Sequence, residues 1–269
     1  MNLGITGASG FVGGAMARAF ADAGWNVVPL GRRETRHYDL REPVSPGTLS
    51  GLDVVLHAAY DPQADNLAAA GLLYAAALEA GTRFAFVSSF AAGPDARSAY
   101  GREKYRVEQM LDATRDLIVR PGLVAGSGGL YGAMRRAVLR FGVAPVFGDG
   151  MQPVYLVDPR ELAGATVALV AGGASGTFAC AAPEPIAFGA LCVAIAEAGG
   201  KRALRVCVST GAALGAISLA ERLGLRLPIS SESVRGIANL TRVDVPRYPQ
   251  VPFAFSSPID VVRRAEATA

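Results

Sequence analysis

The chain has 269 residues, of which 51% are hydrophobic and 18% charged, so it is long enough for a large domain with an ample core, alone or with a small second lobe. The formal net charge of +3 is spread over scattered arginines, which argues against a nucleic-acid partner, and no apolar run of about 18 residues predicts a membrane span. The three cysteines and two histidines lack metal-ligand spacing, and the N-terminus predicts a strand rather than a signal peptide, so we expect a cytoplasmic protein with reduced cysteines and no metal.

The first residues predict a strand, a glycine-rich turn and a helix. Residues 3–6 are apolar, residues 11–23 read as a helix, and Gly7, Gly10 and Gly13 between them are spaced G-x-x-G-x-x-G. Glycines let a backbone approach a phosphate, and the N–H groups and dipole of a first helical turn favour an anion. The stretch therefore predicts a pyrophosphate cradle, although a plain turn remains an alternative in a chain with 32 glycines.

The second strand is predicted at residues 25–30 and is followed by Arg32 and Arg33. An acidic residue at this strand end would accept hydrogen bonds from the adenosine ribose of NAD, whereas guanidinium groups suit a 2′-phosphate. We therefore predict NADP(H) in preference to NAD(H), with an exposed basic turn as the alternative.

The stretch from residue 37 to residue 59 predicts a buried strand with a ligand-binding place at its carboxyl end. Residues 37–40 suggest a short third strand with Asp39 near the adenine, and residues 43–51 a loop. Residues 53–57 form a continuous apolar run, which is typical of a parallel strand buried on both faces. Ala58 and Ala59 follow it, and their small side chains leave room for a ligand above the sheet.

The chain then alternates helices and strands up to residue 122. The helices are predicted at 62–79 and 99–114 and the strands at 84–87 and 117–120. This alternation predicts a Rossmann-type doubly wound parallel sheet, with helices covering both faces.

Beyond residue 122 the pattern is less regular. We predict residues 1–122 as the cofactor-binding core and residues 123–269 as mainly a small mixed α/β substrate lobe, partly interleaved with the core. The predicted helices are 130–141, 159–171, 188–198, 210–223, 231–240 and one from 259, and the predicted strands are 144–147, 154–157, 177–180 and 204–208.

Tyr100 and Lys104 lie four residues apart and therefore share one helix face. Of the 26 basic residues, only Lys104 and Lys201 are lysines. A lysine ammonium can sit beside a ribose and lower the pKa of a neighbouring phenol, which an arginine fork does less well. Ser89 ends a central strand, where open α/β sheets bind ligands, and could hold a carbonyl oxygen. Ser89, Tyr100 and Lys104 are therefore the predicted catalytic residues.

Together, Gly7-x-x-Gly10-x-x-Gly13, Ser89 and Tyr100-Gly101-x-x-Lys104 resemble the extended short-chain dehydrogenase/reductase superfamily, in its NAD-dependent epimerase/dehydratase branch. The resemblance covers roughly residues 1–200 and includes the fourth-strand motif at residues 57–59 and an RPxxV segment at residues 120–124. The family's frequent Tyr-Gly after RPxxV is Ala125-Gly126 here.

The resemblance implies hydride transfer between a nicotinamide and a carbonyl carbon. Tyr100 would exchange the proton, Lys104 would bind the nicotinamide ribose, and Ser89 would hydrogen-bond the substrate oxygen. The cofactor-binding residues that follow are Gly7, Ser9, Gly10, Phe11, Val12, Gly13, Arg32, Arg33, Ala58, Ala59, Tyr100, Lys104 and Pro121.

The resemblance also implies a small-molecule substrate, with the keto group of a nucleotide-linked sugar as the first choice, and a possible homodimer through the helices at 62–79 and 99–114. Arg32 and Arg33 favour a reductase using NADPH over an epimerase that keeps its NAD(P). Phe90 and Ala91 stand where dehydratases carry an acidic pair, which disfavours dehydration. A non-catalytic NAD(P)-sensing protein is the third alternative.

Overall fold

The computed structural model describes residues 1–45, 47–224, 230–238 and 240–268, and for residue 145 the backbone alone. Residue 46 of the predicted loop at 43–51 and residue 239 of the predicted helix at 231–240 lie outside the described residues. The first half contains, in order, β1 (Asn2–Thr6), α1 (Phe11–Asp22), β2 (Asn26–Leu30), β3 (Val54–His57), α2 (Asn66–Glu79), β4 (Arg83–Val87), α3 (Ala99–Glu108) and β5 (Leu117–Pro121).

The second half alternates short strands with helices. Its elements are β6 (Leu123–Val124), α4 (Gly129–Phe141), β7 (Val143–Phe147), β8 (Pro153–Val154), β9 (Leu156–Val157), α5 (Pro159–Ala171), β10 (Gly176–Cys180), β11 (Ile186–Ala187), α6 (Phe188–Ala198), β12 (Leu204–Val208), α7 (Thr210–Arg222), α8 (Ser231–Ala238) and α9 (Pro258–Ala267).

A six-stranded sheet in the order β10-β5-β4-β3-β1-β2 forms the centre of the molecule. All of its strand pairs are parallel, so the carboxyl ends of the strands meet at one edge. This confirms the predicted Rossmann-type fold. The chain beyond residue 122 contributes β10 to this sheet, and its helix α5 packs against α1. The division of the chain at residue 122 stays a prediction.

Both faces of the sheet are buried, as a parallel sheet requires. On one face, Leu3 and Ile5 of β1 pack with Met16 and Phe20 of α1 and with residues of α5. On the other face, Phe84 and Phe86 of β4 pack with residues of α2 and α3. Burial of each large apolar side chain contributes about 1.5–3 kcal/mol, so these two layers hold the sheet rigid beneath the strand ends.

A third apolar cluster lies in the second half of the chain. Tyr131 of α4, Phe147 of β7, and Phe188 and Leu191 of α6 form its centre, together with Val261 of α9. None of the helices in the described ranges is long and apolar enough to cross a membrane.

The predicted strand at residues 37–40 is wrong. The chain makes a single bridge between Leu30 and Arg36 and then leaves the sheet. The N–H of Tyr38 donates to the carbonyl of Gly31, and the Asp39 side chain accepts from the N–H of Arg41. These local bonds take the place of a strand ladder.

Two predicted helices begin or end elsewhere. The helix predicted at 62–79 starts at Asn66, because the Asp65 side chain caps it by accepting from the N–H of Ala68. The helix predicted at 99–114 ends at Glu108, where the N–H groups of Met110 and Leu111 turn back to close the last turn. The predicted strand at 154–157 is divided at Tyr155, whose carbonyl accepts from the N–H of Leu123.

Candidate active site

The turn after β1 needs glycine at two positions for lack of space. Gly7 has a φ of +73°, and a Cβ there would lie 2.8 Å from the backbone N of Ala59. A Cβ on Gly13 would overlap the carbonyl oxygen of Gly7. The first turn of α1 is therefore packed directly onto the loop that precedes it, with the end of β3 beside it.

The N-terminus of α1 is open to an anion. Gly10 caps the helix without a side chain, and the first turn contains no acidic residue. The Phe11 ring packs against Gly126 and Gly128, where a Cβ on either glycine would come within 2.6 Å of the ring or closer. Phe11 can therefore face a phosphate only through its backbone N–H, which agrees with a cradle built from main-chain donors.

Thr6 joins the ends of β1 and β3 beneath the cradle. Its hydroxyl accepts from the N–H groups of Ala58 and Ala59 at 3.2 Å and shares a hydrogen bond of 2.8 Å with Nδ1 of His57. Burial, and after it the charge of Lys104, lowers the pKa of His57 to about 3. His57 is therefore neutral and holds the strand ends together rather than exchanging protons.

Arg32 and Arg33 are exposed just beyond the end of β2. The Arg32 Nε lies 3.9 Å from a carboxylate oxygen of Asp39, and 69% of the Arg32 side chain is exposed. Both a cationic and an acidic group therefore stand where the adenosine ribose is predicted to bind.

The start of α3 brings Tyr100 to Ser89. Ser98 caps the helix by accepting from the N–H of Gly101 at 3.1 Å. A Cβ on Gly101 would overlap the carbonyl oxygen of Ala91, so the helix start and the loop after β4 are in direct contact. A side-chain hydrogen bond from Ser89 acts on the Tyr100 hydroxyl. The structure thus places two of the three predicted catalytic residues together.

Burial raises the pKa of Tyr100, and the nearby Glu103 carboxylate raises it too, while the Ser89 hydrogen bond lowers it. The net shift is upward, so the phenol keeps its proton at neutral pH. In that state Tyr100 can donate a proton to a developing alkoxide.

Lys104 lies on the same face of α3 and is only 5% exposed. Its ammonium donates to the carbonyl of Val87 at 2.8 Å and lies 5.7 Å from the centre of the Tyr100 ring. Burial lowers the pKa of Lys104 to about 8, against the opposing pull of Glu103 and Glu108. The group is mostly charged at pH 7 and becomes neutral in mildly alkaline solution.

A polar group that the sequence did not predict lies beside Tyr100. The Tyr60 ring meets the Tyr100 ring edge-on at 5.0 Å, and a hydrogen bond joins Tyr60 to the Glu103 carboxylate. The Asn66 amide donates to both oxygens of that carboxylate at 3.3 Å. Burial, followed by Glu103, raises the pKa of Tyr60 to about 12. Glu103 precedes Lys104 in sequence, and that acidic neighbour was the available signal.

A hydrogen-bond network that the sequence did not predict distinguishes the two serines at the end of β4. The Ser88 hydroxyl donates to the Glu108 carboxylate, which also pairs with Arg120. Arg120 in turn donates to the Tyr248 hydroxyl at 2.8 Å. Ser88 is thus bound inside the protein, whereas Ser89 faces Tyr100. The carbonyl of Pro121 accepts from the N–H of Phe90 at 2.9 Å, and the contact of Pro121 with a cofactor stays a prediction.

Within the described part of the chain, no three His, Cys, Asp or Glu side chains come together as a metal site. Cys180 and Cys192 are buried thiols and Cys207 is an exposed one.

The NAD dependent epimerase/dehydratase family matches residues 3–178. The curated ceramide reductase of Caulobacter vibrioides (strain NA1000 / CB15N) is 35% identical over 147 residues, which are 46% of this chain and 46% of that protein, so the match spans just under half of the relative's length.

Two solved structures share the fold. The NADPH-dependent quinone oxidoreductase QOR2 from Escherichia coli, complexed with NADPH, has a TM-score of 0.76 at 16% identity and covers 99% of both chains. The UDP-glucuronic acid 4-epimerase from Bacillus cereus, in complex with NAD, has a TM-score of 0.64 at 17% identity, covering 88% of this chain and 95% of that one. The chain belongs to the NAD dependent epimerase/dehydratase family.

Proposed function

We propose that the enzyme reduces a carbonyl group with NADPH and that Tyr100 supplies the proton. The observation that carries this proposal is the state of Tyr100, whose pKa is raised by burial while Ser89 holds its hydroxyl. A protonated phenol is the form that net reduction consumes, because the carbonyl oxygen gains a proton as its carbon gains hydride.

The residues present fit the cofactor. Glycines at positions 7, 10 and 13, a helix α1 without a side-chain cap, and the small Ala58 and Ala59 make a cradle that a pyrophosphate would fill. Arg32 and Arg33 would take the 2′-phosphate, and this supports NADP(H) over NAD(H). Ser9 and Val12 would add backbone contacts to the phosphates. When bound, the dinucleotide supplies the hydride.

The chain's own groups perform the remaining steps. Ser89 would donate a hydrogen bond to the substrate carbonyl oxygen and fix its position beside Tyr100. Tyr100 would pass its hydroxyl proton to that oxygen as negative charge develops there. Lys104, charged below about pH 8, would stabilise the resulting phenolate and hold the nicotinamide ribose.

Two classes of carbonyl compound are the candidate substrates. The keto group of a nucleotide-linked sugar, which the resemblance implies, is the first candidate. The name of the curated relative, ceramide reductase, adds a lipid carbonyl as the second. Glu103 and Glu232 both act on Tyr60, which touches Tyr100, so the wall beside the reacting carbon is acidic. This charge favours a substrate that is neutral near its carbonyl.

Further proposals concern assembly and location. A homodimer through α2 and α3 is supported by Leu72 and Leu78 of α2 and Met110 after α3, which are 48%, 46% and 37% exposed. We also propose that the protein is located in the cytoplasm.

To test this function, the enzyme is incubated with 4-keto nucleotide sugars and with simple ketones, and absorbance is followed at the reduced-nicotinamide band. We expect net loss of NADPH together with the alcohol product. Product without net loss would identify an epimerase instead. Tight cofactor binding without NADPH loss and without product would contradict both the reductase and the epimerase. It would support the non-catalytic NAD(P)-sensing protein.

A further inference from the structure

Glu232, in the first turn of α8, uses only one of its two carboxylate oxygens. Oε1 accepts from the backbone N–H of Ala99 at 2.9 Å. Oε2 is buried, and none of the described residues donates a hydrogen bond to it. A buried carboxylate oxygen normally has a donor, because desolvating it without one costs folding free energy. One oxygen of the carboxylate is therefore left without a donor among the described residues.

This carboxylate lies next to the start of α3, the helix that carries Tyr100. Ala99 directly precedes Tyr100, and the charge of Glu232 acts on Tyr60, whose ring lies 5.0 Å from the Tyr100 ring. Two helix faces thus meet at this point: the start of α3, which carries Tyr100, and the start of α8. The two are 133 residues apart in the sequence.

The position of Glu232 is held from two sides. Val234 and Ile237 of α8 are buried in the apolar cluster of the second half. The Glu221 side chain accepts from both the N–H and the hydroxyl of Ser231, at 2.8 and 2.7 Å. A carboxylate fixed in this way can select a ligand by geometry, since little side-chain freedom is lost on binding.

We propose that Glu232 determines substrate specificity: its free oxygen accepts a hydrogen bond from a hydroxyl or amide N–H that the substrate carries next to the reacting carbonyl. The substrate class is then an α-hydroxy or α-amido carbonyl compound. This proposal rests on the proposed function, because it assumes that the carbonyl binds beside Tyr100. A site built around such a bond discriminates strongly against an analogue without the donor.

The variant Glu232→Gln should change the hydrogen bond to the substrate and keep the hydrogen bond from Ala99 of α3. Its single amide oxygen can still accept from Ala99, and its NH₂ group then faces the substrate and donates instead of accepting. The variant keeps the size of the side chain, so a changed preference reports the reversed hydrogen bond rather than a cavity.

The test uses equilibrium dissociation constants of the NADP⁺-loaded enzyme, which cannot reduce the ketone, and constant absorbance at the reduced-nicotinamide band shows that the probe is not oxidised either. The probes are α-hydroxyacetophenone, which offers a donor, and α-methoxyacetophenone, which does not. We expect the native enzyme to bind the hydroxy ketone at least about tenfold more tightly, as a hydrogen bond to a charged acceptor provides. Glu232→Gln should lose or reverse this preference. The exposed Glu184→Gln is the matched control, and Glu221→Gln, which loosens α8 alone, should keep the preference.

Equal affinities for the two ketones in the native enzyme, no binding of either, or a preference that survives Glu232→Gln would each overturn the proposal. Turnover with NADPH separates this result from the proposed function. A donor preference without NADPH oxidation leaves the specificity role standing and removes the reductase. NADPH oxidation together with equal affinities for the two ketones removes the specificity role and leaves the reductase standing.

Discussion

Burial decides the protonation of the three ionisable side chains at the carboxyl ends of the central strands. It raises the pKa of Tyr100, lowers that of Lys104 to about 8 and lowers that of His57 to about 3. At pH 7 the site therefore contains a neutral phenol, a charged ammonium and a neutral imidazole. The first two suit proton donation to a carbonyl oxygen, and the third suits a structural role.

The low pKa of His57 predicts an acid-dependent loss of stability. Below about pH 6.5 the unfolded chain binds a proton at this histidine, and the folded chain does not until about pH 3. The free energy of unfolding should therefore fall as pH drops through this window, with a contribution of up to about 1.4 kcal/mol per pH unit. Chemical denaturation at a series of pH values measures this slope.

The variant His57→Asn should reduce the slope, because the titrating group is gone, although the variant itself will be less stable. His37, which is exposed and lies 2.9 Å from Glu42, provides the matched control His37→Asn. An unchanged slope in His57→Asn would show that other groups carry the acid sensitivity.

Cofactor preference depends on the two arginines after β2. The double variant Arg32→Ala, Arg33→Ala should weaken NADPH binding by at least about tenfold, since each lost charge-assisted hydrogen bond costs about 1.5–3 kcal/mol. NADH, which lacks the 2′-phosphate, should change by less than about threefold. Fluorescence titration gives both dissociation constants, and Arg222→Ala on the exposed end of α7 controls for loss of charge. Equal weakening of both cofactors would assign the arginines another role.

At the scale of elements, α1 packs so closely against the loop after β1 that one added carbon atom would disturb the contact. A Cβ at Gly13 would overlap the Gly7 carbonyl oxygen, so Gly13→Ala should destabilise the fold by about 1–3 kcal/mol. It should also weaken NADPH binding by at least about tenfold, because the helix N-terminus must move away. Gly215→Ala in α7, where a Cβ meets nothing within 4 Å, is the control. Thermal unfolding and NADPH titration measure the two effects, and equal behaviour of the two variants would contradict the packing argument.

Local sequence patterns predicted most elements because periodicity and caps act over a few residues. The bounds of α5 and α6 agree with the predicted helices at 159–171 and 188–198, which have a proline or glycine at their ends. The strand at 37–40 failed because hydrogen bonds of Gly31 and Asp39 fold the chain into turns, which residue hydrophobicity does not report.

At the scale of the whole molecule, the site is assembled from contacts that no local pattern contains. Spacing placed Tyr100 and Lys104 on one helix face, and the ends of parallel strands brought Ser89 to them. The contacts of Arg120 with Tyr248 and of Ala99 with Glu232 span 128 and 133 residues. They depend on how the second half of the chain folds back over the sheet, so only the structure reveals them.

The central claim is that Tyr100 donates the proton in NADPH-dependent carbonyl reduction. The most direct measurement is the rate of NADPH oxidation by Tyr100→Phe with a ketone that the native enzyme reduces, alongside the dissociation constant for NADPH. Tyr105→Phe, on the same helix, is the control. We expect Tyr100→Phe to lose at least about a hundredfold in kcat and to keep its NADPH affinity within about threefold, in line with the usual contribution of general acid catalysis. Turnover retained within a few-fold in Tyr100→Phe would contradict it.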